Sequence, residues 1–187
     1  MCPVVVTAIL LLVVLMSMSA TAYWTPNEMC KTKYKTPCNK DIGGDNWFQM
    51  DDRCVKAFHD NAHLSFDDAE KACNQHTSGN SVGHLVSIHS VVELCQVECA
   101  MLKVQPGKAH YWIGLQRKWV IVDDYDAYDI MVWTDGTKSD YSHWAGWQPD
   151  NLHGEEMCVE MNYWEWGLWN DEKCWQKKAY VCAVRVS

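Results

Sequence analysis

The cysteines place the strongest constraint on what this chain can fold into. Ten of its 187 residues are cysteine. In a secreted protein so many cysteines form disulfides, whereas in the reducing cytosol they are more typical of metal or redox sites. The N-terminus favours secretion, because an apolar run over residues 4–16, too short to span a membrane, precedes the small-x-small cleavage pattern Ala20-Thr21-Ala22. We therefore expect residues 1–22 to be a signal peptide, with an uncleaved membrane anchor as the alternative.

The number of cysteines also bears on assembly. Cleavage would remove Cys2 from the ten and leave nine, so at least one thiol would be free or bonded to another chain. A disulfide-linked homodimer is one hypothesis. Cys95 and Cys99 lie one helical turn apart, where a bond between them would be strained. Cys30 could bond to either of them, and the sequence leaves the choice open.

Length and charge limit the class of protein. The chain suits one domain of about 100–200 residues, and we expect a loose N-terminal arm over residues 23–37 and the domain over residues 38–187. The 16 basic residues against 24 acidic residues give a formal net charge of −8. Nucleic-acid partners are not expected, because their binders carry a basic face. Membrane insertion is not expected once the signal peptide is removed.

Two segments carry the signals that begin a helix. Ser65 is followed three residues later by Asp68, and apolar residues then recur at helical spacing. The same pattern at Ser90 and Glu93 opens a second segment, which ends before Pro106. The sequence therefore predicts two helices in the first two thirds of the chain.

Short runs rich in Trp, Tyr, Val and Ile follow the second helix, and they predict strands over residues 111–115, 131–134, 157–161 and 179–184. The segments between them, residues 116–130 with four aspartates and residues 145–154 with Gly, Pro and Asn, are expected to be connections. Two helices followed by a strand-rich half predict an α+β fold.

The strongest functional signal is a set of side chains that offer oxygen ligands close to two cysteines: Gln148, Asp150, Glu156, Asn170 and Asp171. Carboxylates and amide carbonyls suit Ca²⁺, with ligand distances of about 2.3–2.6 Å. Zinc would be expected to use histidine or thiolate ligands instead. A cis peptide bond before Pro149 would turn Gln148 and Asp150 to the same side of the loop.

Several motifs then agree on a family. Trp112-Ile113-Gly114-Leu115 and Trp133-Thr134-Asp135-Gly136 match two core motifs of the C-type lectin-like domains, and the spacing of Cys73, Cys158, Cys174 and Cys182 matches their framework cysteines. Over about residues 38–184 the chain resembles that family. The resemblance implies an α+β fold with two helices, small antiparallel sheets and a long calcium-binding loop region, stapled by Cys73–Cys182, Cys158–Cys174 and, as in the long form, Cys38–Cys54.

The resemblance also implies a function. In the family, the residues aligned with the five oxygen donors hold Ca²⁺, and the metal and its ligands together bind two neighbouring hydroxyls of a sugar. Members with Gln-Pro-Asp tend to prefer galactose and N-acetylgalactosamine, and members with Glu-Pro-Asn prefer mannose. Gln148-Pro149-Asp150 therefore predicts a secreted, non-enzymatic protein that binds galactose-type glycans.

Two features depart from the family pattern. Strong galactose binders carry an aromatic residue just after the tripeptide to stack on the sugar, and this chain has Leu152 in that neighbourhood. We expect Trp166 to contact the sugar instead, with Trp164 and His153 as alternatives. The family's second calcium site uses acids shortly after the Trp-Ile-Gly-Leu motif, where this chain has the run Gln116-Arg117-Lys118, so a second site is not expected.

Another class of function stays open. Some members of the family use the same fold to recognise proteins or ice without binding sugar, and a calcium ion retained for structure alone would need the same ligands. The chain lacks a Gly-rich phosphate loop, a His-Glu-x-x-His motif and a Gly-x-Ser-x-Gly motif. Enzymatic activity is therefore not expected.

Overall fold

The computed structural model describes Cys30, residues 36–38, Ile42 and residues 44–105, 107–121 and 127–186. The predicted signal peptide lies outside the described residues. Three of the four aspartates in residues 116–130 also lie outside them: Asp123, Asp124 and Asp126. Thr36, in the predicted arm, contacts the predicted domain, because Thr36 O accepts a hydrogen bond from Gln49 N at 2.9 Å.

The two helices begin at the predicted serines. Helix α1 (Phe66–Cys73) is capped by Ser65, whose hydroxyl accepts from Asp68 N at 3.4 Å. Helix α2 (Val91–Val104) is capped by Ser90, whose hydroxyl accepts from Glu93 N at 3.2 Å. Both predictions are confirmed. No helix in the described part of the chain is both long and apolar enough to cross a membrane.

Ten strands complete the described fold: β1 (Phe48–Met50), β2 (Arg53–Phe58), β3 (Thr77–Ser78), β4 (Ser81–Val82), β5 (His84–Leu85), β6 (Tyr111–Ile121), β7 (Ala127–Trp133), β8 (Glu156–Met161), β9 (Trp169–Lys173) and β10 (Ala179–Arg185). Eight of them form one sheet with the order β1-β2-β10-β6-β8-β9, in which β5 also pairs with β10 and β7 with β6. Strands β3 and β4 pair separately. The α+β class is confirmed.

The strand predictions were incomplete. Strands β1 and β2 precede the helices and strands β3, β4 and β5 lie between them, so the strands start earlier in the chain than predicted. Strand β6 also continues through residues 116–121 and pairs with β7 as a long hairpin, from Leu115 opposite Trp133 to Ile121 opposite Ala127. The expected connection over residues 116–130 is therefore wrong in extent, because residues 116–121 pair with residues 127–132 across the hairpin.

Four disulfides lie within the described residues. Cys73–Cys182, Cys158–Cys174 and Cys38–Cys54 are the pairings that the resemblance implies. The fourth joins Cys30 to Cys99, which decides between the two partners left open for Cys30. Cys95 is also disulfide-bonded, so the described part of the chain contains no free cysteine.

A cluster of tryptophans packs beneath the region that carries the candidate ligands. Trp169 in β9 is fully buried, and its ring makes edge-on contacts with Trp133, Tyr141 and Trp144 at centroid distances of 5.8–5.9 Å. Ala145 N also donates to Trp169 O at 2.8 Å. This packing fixes β9 and the start of the loop over residues 145–154 to the core, so the ligand region rests on a rigid base.

Candidate functional site

Three of the predicted ligands converge at one place. Asp150, Glu156 and Asp171 each offer a carboxylate oxygen, and these oxygens lie within 4.8 Å of one another. Asp150 is exposed, whereas Glu156 and Asp171 are buried. The group is therefore open to solvent on the Asp150 side and backed by the protein on the other.

Backbone hydrogen bonds to two of these acids hold the ligand loop. Asp171 Oδ1 accepts from Asp150 N at 3.0 Å, and Asp171 Oδ2 accepts from Asn151 N at 2.9 Å. Glu156 Oε2 accepts from Leu152 N at 3.1 Å, and Glu156 N donates to Asn151 Oδ1 at 3.1 Å. The loop is therefore built around its own acids, which fixes the positions of their oxygens.

Gln148 joins the group from the start of the loop. The Gln148–Pro149 peptide bond is cis. Gln148 Oε1 accepts from Asp150 N at 3.1 Å, which brings its amide beside the exposed acid.

Asn170 is held by an acid on the neighbouring strand. Glu160 in β8 pairs with Asn170 in β9, and Asn170 Nδ2 donates to Glu160 Oε1 at 3.0 Å. Glu160 is buried and is also bonded to His110 Nδ1 at 2.7 Å and Lys178 Nζ at 2.9 Å. Burial opposes ionisation of Glu160, but the bonds from His110 and Lys178 outweigh it and hold the pKa of this carboxyl below its usual value. The bond uses one of the two N–H groups of Asn170 and leaves the other N–H and the carbonyl oxygen available.

The charge at the site suits a cation. Burial raises the pKa of the Glu156 carboxyl to about 6, and the neighbouring carboxylates of Asp171, Glu172 and Asp150 add to the effect. Like charges this close oppose one another's ionisation, and a cation between them removes the repulsion. The donor set consists of carboxylate and amide oxygens, which fits calcium.

Sequence reasoning missed the charged residues that contact the candidate ligands, Glu160 beside Asn170 and Arg117 beside Asp171. Arg117, noted only as a departure from a second calcium site, extends from β6 and places Nη2 at 3.0 Å from Asp171 Oδ2. Its Nη1 contacts Asp129 Oδ2. The two partners lie 54 and 12 positions away in the sequence, so no local pattern could have identified both contacts.

The aromatic residues around the loop differ in exposure. Trp166, the predicted sugar contact, is partly buried and packs against the main core cluster. Trp164 is 58% exposed, and its Cζ3 lies 3.7 Å from the position of a Cβ built on Gly146. Trp147, directly before Gln148, is 91% exposed. Trp164 and Trp147 are therefore two exposed indoles next to the loop.

The chain is similar to known proteins in sequence and in fold. The family model described as Lectin C-type domain matches residues 62–184. A C-type lectin galactose-binding isoform from Pseudechis australis is 32% identical over 141 residues, which are 75% of this chain and 82% of that protein. C-type isolectin Sp-CL4 from Scorpaena plumieri is 31% identical over 160 residues, which are 85% of this chain and 96% of that protein.

Solved structures agree with the sequence relatives. The C-type lectin CEL-I from Cucumaria echinata has a TM-score of 0.63 at 28% identity and covers 78% of this chain and 99% of its own. Herring type II antifreeze protein has a TM-score of 0.58 at 25% identity and covers 80% of this chain and 100% of its own. With the family model, the sequence relatives and the fold in agreement, this chain belongs to the C-type lectin domain family.

Proposed function

We propose that the chain is a secreted, calcium-dependent lectin that binds terminal galactose or N-acetylgalactosamine. The observation that carries the proposal is the convergence of the Asp150, Glu156 and Asp171 oxygens within 4.8 Å beside the Gln148-Pro149-Asp150 loop. Gln148 and Asn170 complete the proposed ligand set. The oxygens come from residues on β8, on β9 and in the loop, which are held together by the Cys158–Cys174 disulfide.

Calcium in this site would supply coordination positions for two neighbouring sugar hydroxyls. The carboxylates of Asp150 and Glu156 can accept the hydroxyl protons, and the amide N–H groups of Gln148 and Asn170 can donate to the hydroxyl oxygens. Every polar group of the sugar that loses water would then gain a partner, which makes its burial favourable.

The order of acid and amide in the loop supports a preference for galactose. Gln148 and Asp150 place the amide before the proline and the acid after it, the arrangement that the family resemblance associates with galactose. The relative from Pseudechis australis carries the same preference in its name. Exchanging the two side-chain types would move the donors and acceptors across the site and so change which pair of hydroxyls fits.

Trp164 and Trp147 are the proposed aromatic contacts, together with the predicted Trp166. A sugar ring stacks on an indole through its apolar face, which requires an exposed ring close to the metal ligands. Trp164 combines exposure with a position beside Gly146, two residues before Gln148. Trp166 packs partly inward and has less free surface.

Secretion is supported by the N-terminal sequence pattern and by the disulfides. Four disulfides within the described residues suit an oxidising compartment. A disulfide-linked homodimer remains part of the proposal, because two linked weak sites gain avidity. The described cysteines are all disulfide-bonded, so one of them would have to bond to the second chain instead. Gel electrophoresis tests the homodimer, which would show a larger mass without reductant than with reductant.

Recognition of a non-sugar partner is the second candidate. This candidate is favoured by the likeness of the fold to herring type II antifreeze protein, which is named for an antifreeze property and not for a sugar. In that case calcium would stabilise the loop without contacting a carbohydrate.

The experiment is chromatography on immobilised galactose, with immobilised mannose in parallel, in calcium and then in chelator. We expect retention on galactose and release by chelator. Asp150→Asn should abolish retention, whereas Glu155→Gln, which removes an exposed acid paired with Lys173, should not. Calcium binding without retention on either sugar would reject the lectin proposal and leave the second candidate.

A further inference from the structure

Arg117 is the one basic side chain that the structure brings into contact with the three clustered acids among the described residues. It lies in β6, opposite Met131 of β7. Its side chain is only 11% exposed, and that of Asp171 is fully buried. Water therefore screens this ion pair weakly, and the pair affects whatever else binds at Asp171.

Arg117 occupies binding capacity that a metal ion would use. A carboxylate offers about four lone-pair sites. At Asp171 one site accepts from Asp150 N, one from Asn151 N and one from Arg117 Nη2. The two backbone bonds shape the loop, so the guanidinium is the partner that can leave without unfolding it.

A second acid can hold the Arg117 guanidinium after it leaves Asp171. Asp129 in β7 contacts Nη1 of the same guanidinium, and its side chain is 40% exposed. The two contacts use different nitrogens, so loss of one does not require loss of the other. Arg117 Nε is buried without a hydrogen-bond partner in the described structure, so this position leaves one of its donors unsatisfied.

We propose that Arg117 is a built-in counter-ion that competes with Ca²⁺ for Asp171 and so sets the calcium concentration at which the site fills. In the calcium-free protein, Arg117 neutralises Asp171 and protects the loop from repulsion among the acids. On calcium binding it releases Asp171 and stays with Asp129. The inference depends on the proposed calcium site and adds the regulation of its affinity.

The test compares the calcium affinity of two variants that lose the same charge. Arg117→Gln removes the guanidinium from the site, and Lys118→Gln removes the neighbouring exposed ammonium. Isothermal titration of the mature, disulfide-bonded chain with calcium chloride measures each Kd. We expect Arg117→Gln to bind calcium about tenfold more tightly than the wild type, because calcium no longer has to displace a charged hydrogen bond from Asp171. Lys118→Gln should remain near the wild type.

The opposite change comes from Asp129. Asp129→Asn removes the negative charge that holds the released guanidinium, so Arg117 should remain on Asp171 and calcium affinity should fall several-fold. In the Arg117→Gln background the same Asp129→Asn change should have almost no effect, because the residue through which it acts is gone. This double-mutant cycle separates the proposed hand-over from a general loss of negative charge, and Asp129→Asn provides the test if Arg117→Gln fails to fold.

Thermal unfolding in chelator gives a readout that does not need calcium. Arg117→Gln should unfold at a lower temperature than Lys118→Gln in chelator, and the difference should disappear in saturating calcium. The wild type can still bind calcium while Arg117→Gln and Lys118→Gln have equal calcium affinities. That result would overturn the proposal that Arg117 competes with calcium, and it would leave the proposed function intact. If no variant binds calcium while all are folded, the calcium site itself is wrong and both proposals fail.

Discussion

Glu160 and Asn170 face each other across β8 and β9, and Asn170 Nδ2 donates to Glu160 Oε1 at 3.0 Å. This bond orients the amide whose carbonyl oxygen is a proposed calcium ligand. Groups that orient metal ligands typically change metal affinity by about 10- to 100-fold when they are removed. The pair therefore links a buried charge network to the exposed site.

Replacing Glu160 tests that link. Glu160→Leu should weaken calcium binding about tenfold or more, because Asn170 loses the acceptor that orients it. Glu160→Gln keeps an amide oxygen at the same distance and should retain most of the affinity. Titration calorimetry measures both, and thermal unfolding shows that each variant is folded. Equal affinities for the two variants would mean that Asn170 does not depend on Glu160.

The two short-range disulfides form a matched pair of controls. Cys158–Cys174 and Cys38–Cys54 each join cysteines 16 positions apart. Replacing either pair with serine should cost about 3 kcal/mol of unfolding free energy by the chain-entropy model. Only the loss of Cys158–Cys174 should also weaken calcium binding, because this disulfide ties β8, which begins at Glu156, to the end of β9. Denaturant unfolding and calcium titration measure the two effects. A similar loss of affinity for both variants would contradict a specific role.

The sugar preference depends on the exchange of acid and amide around Pro149. The double variant Gln148→Glu/Asp150→Asn should shift binding from galactose to mannose by about tenfold or more, because a mispaired charged hydrogen bond costs about 1.5–3 kcal/mol. A glycan array measures the ratio, with Glu155→Gln as the control. An unchanged profile in the double variant would remove selectivity from this loop.

The stacking contact is tested by three tryptophans. Trp164→Ala should weaken galactose binding roughly fivefold, which corresponds to about 1 kcal/mol, and should leave calcium affinity unchanged. Trp119→Ala removes an indole of similar exposure, 61% against 58%, from β6 and should have no effect. A larger loss in Trp166→Ala than in Trp164→Ala would return the contact to Trp166, the residue predicted from the sequence.

The buried acid Glu98, which is not a candidate ligand, should make the unfolding free energy depend on pH. Burial raises the pKa of the Glu98 carboxyl in α2 from 4.5 to about 7. Between those values the unfolded chain loses the proton and the folded chain keeps it, so the unfolding free energy falls as pH rises, by up to about 3 kcal/mol. Glu98→Gln should remove this dependence and be more stable than the wild type at pH 8. Urea unfolding from pH 4 to 8 measures it, and parallel curves for the two proteins would refute the shift.

Local sequence patterns determined the elements and the chemistry of this protein. Ser65 and Ser90 mark the starts of the helices because capping involves residues only three positions apart. The oxygen donors indicate calcium because their residue types already define the ligand chemistry. The extent of β6, in contrast, depended on pairing with β7, and a single strand carries no signal of its partner.

Tertiary structure decided which of these groups meet. Asp150 N bonds to an acid 21 positions away, and Arg117 reaches one 54 positions away. Tertiary structure also decided that Cys30 forms its disulfide with Cys99 and not with Cys95. Such contacts are set by strand register and by the packing of Trp169 and its neighbours, in which each position depends on many others at once. The sequence therefore determined what the site is made of, and the fold determined that Arg117 contacts one of its acids.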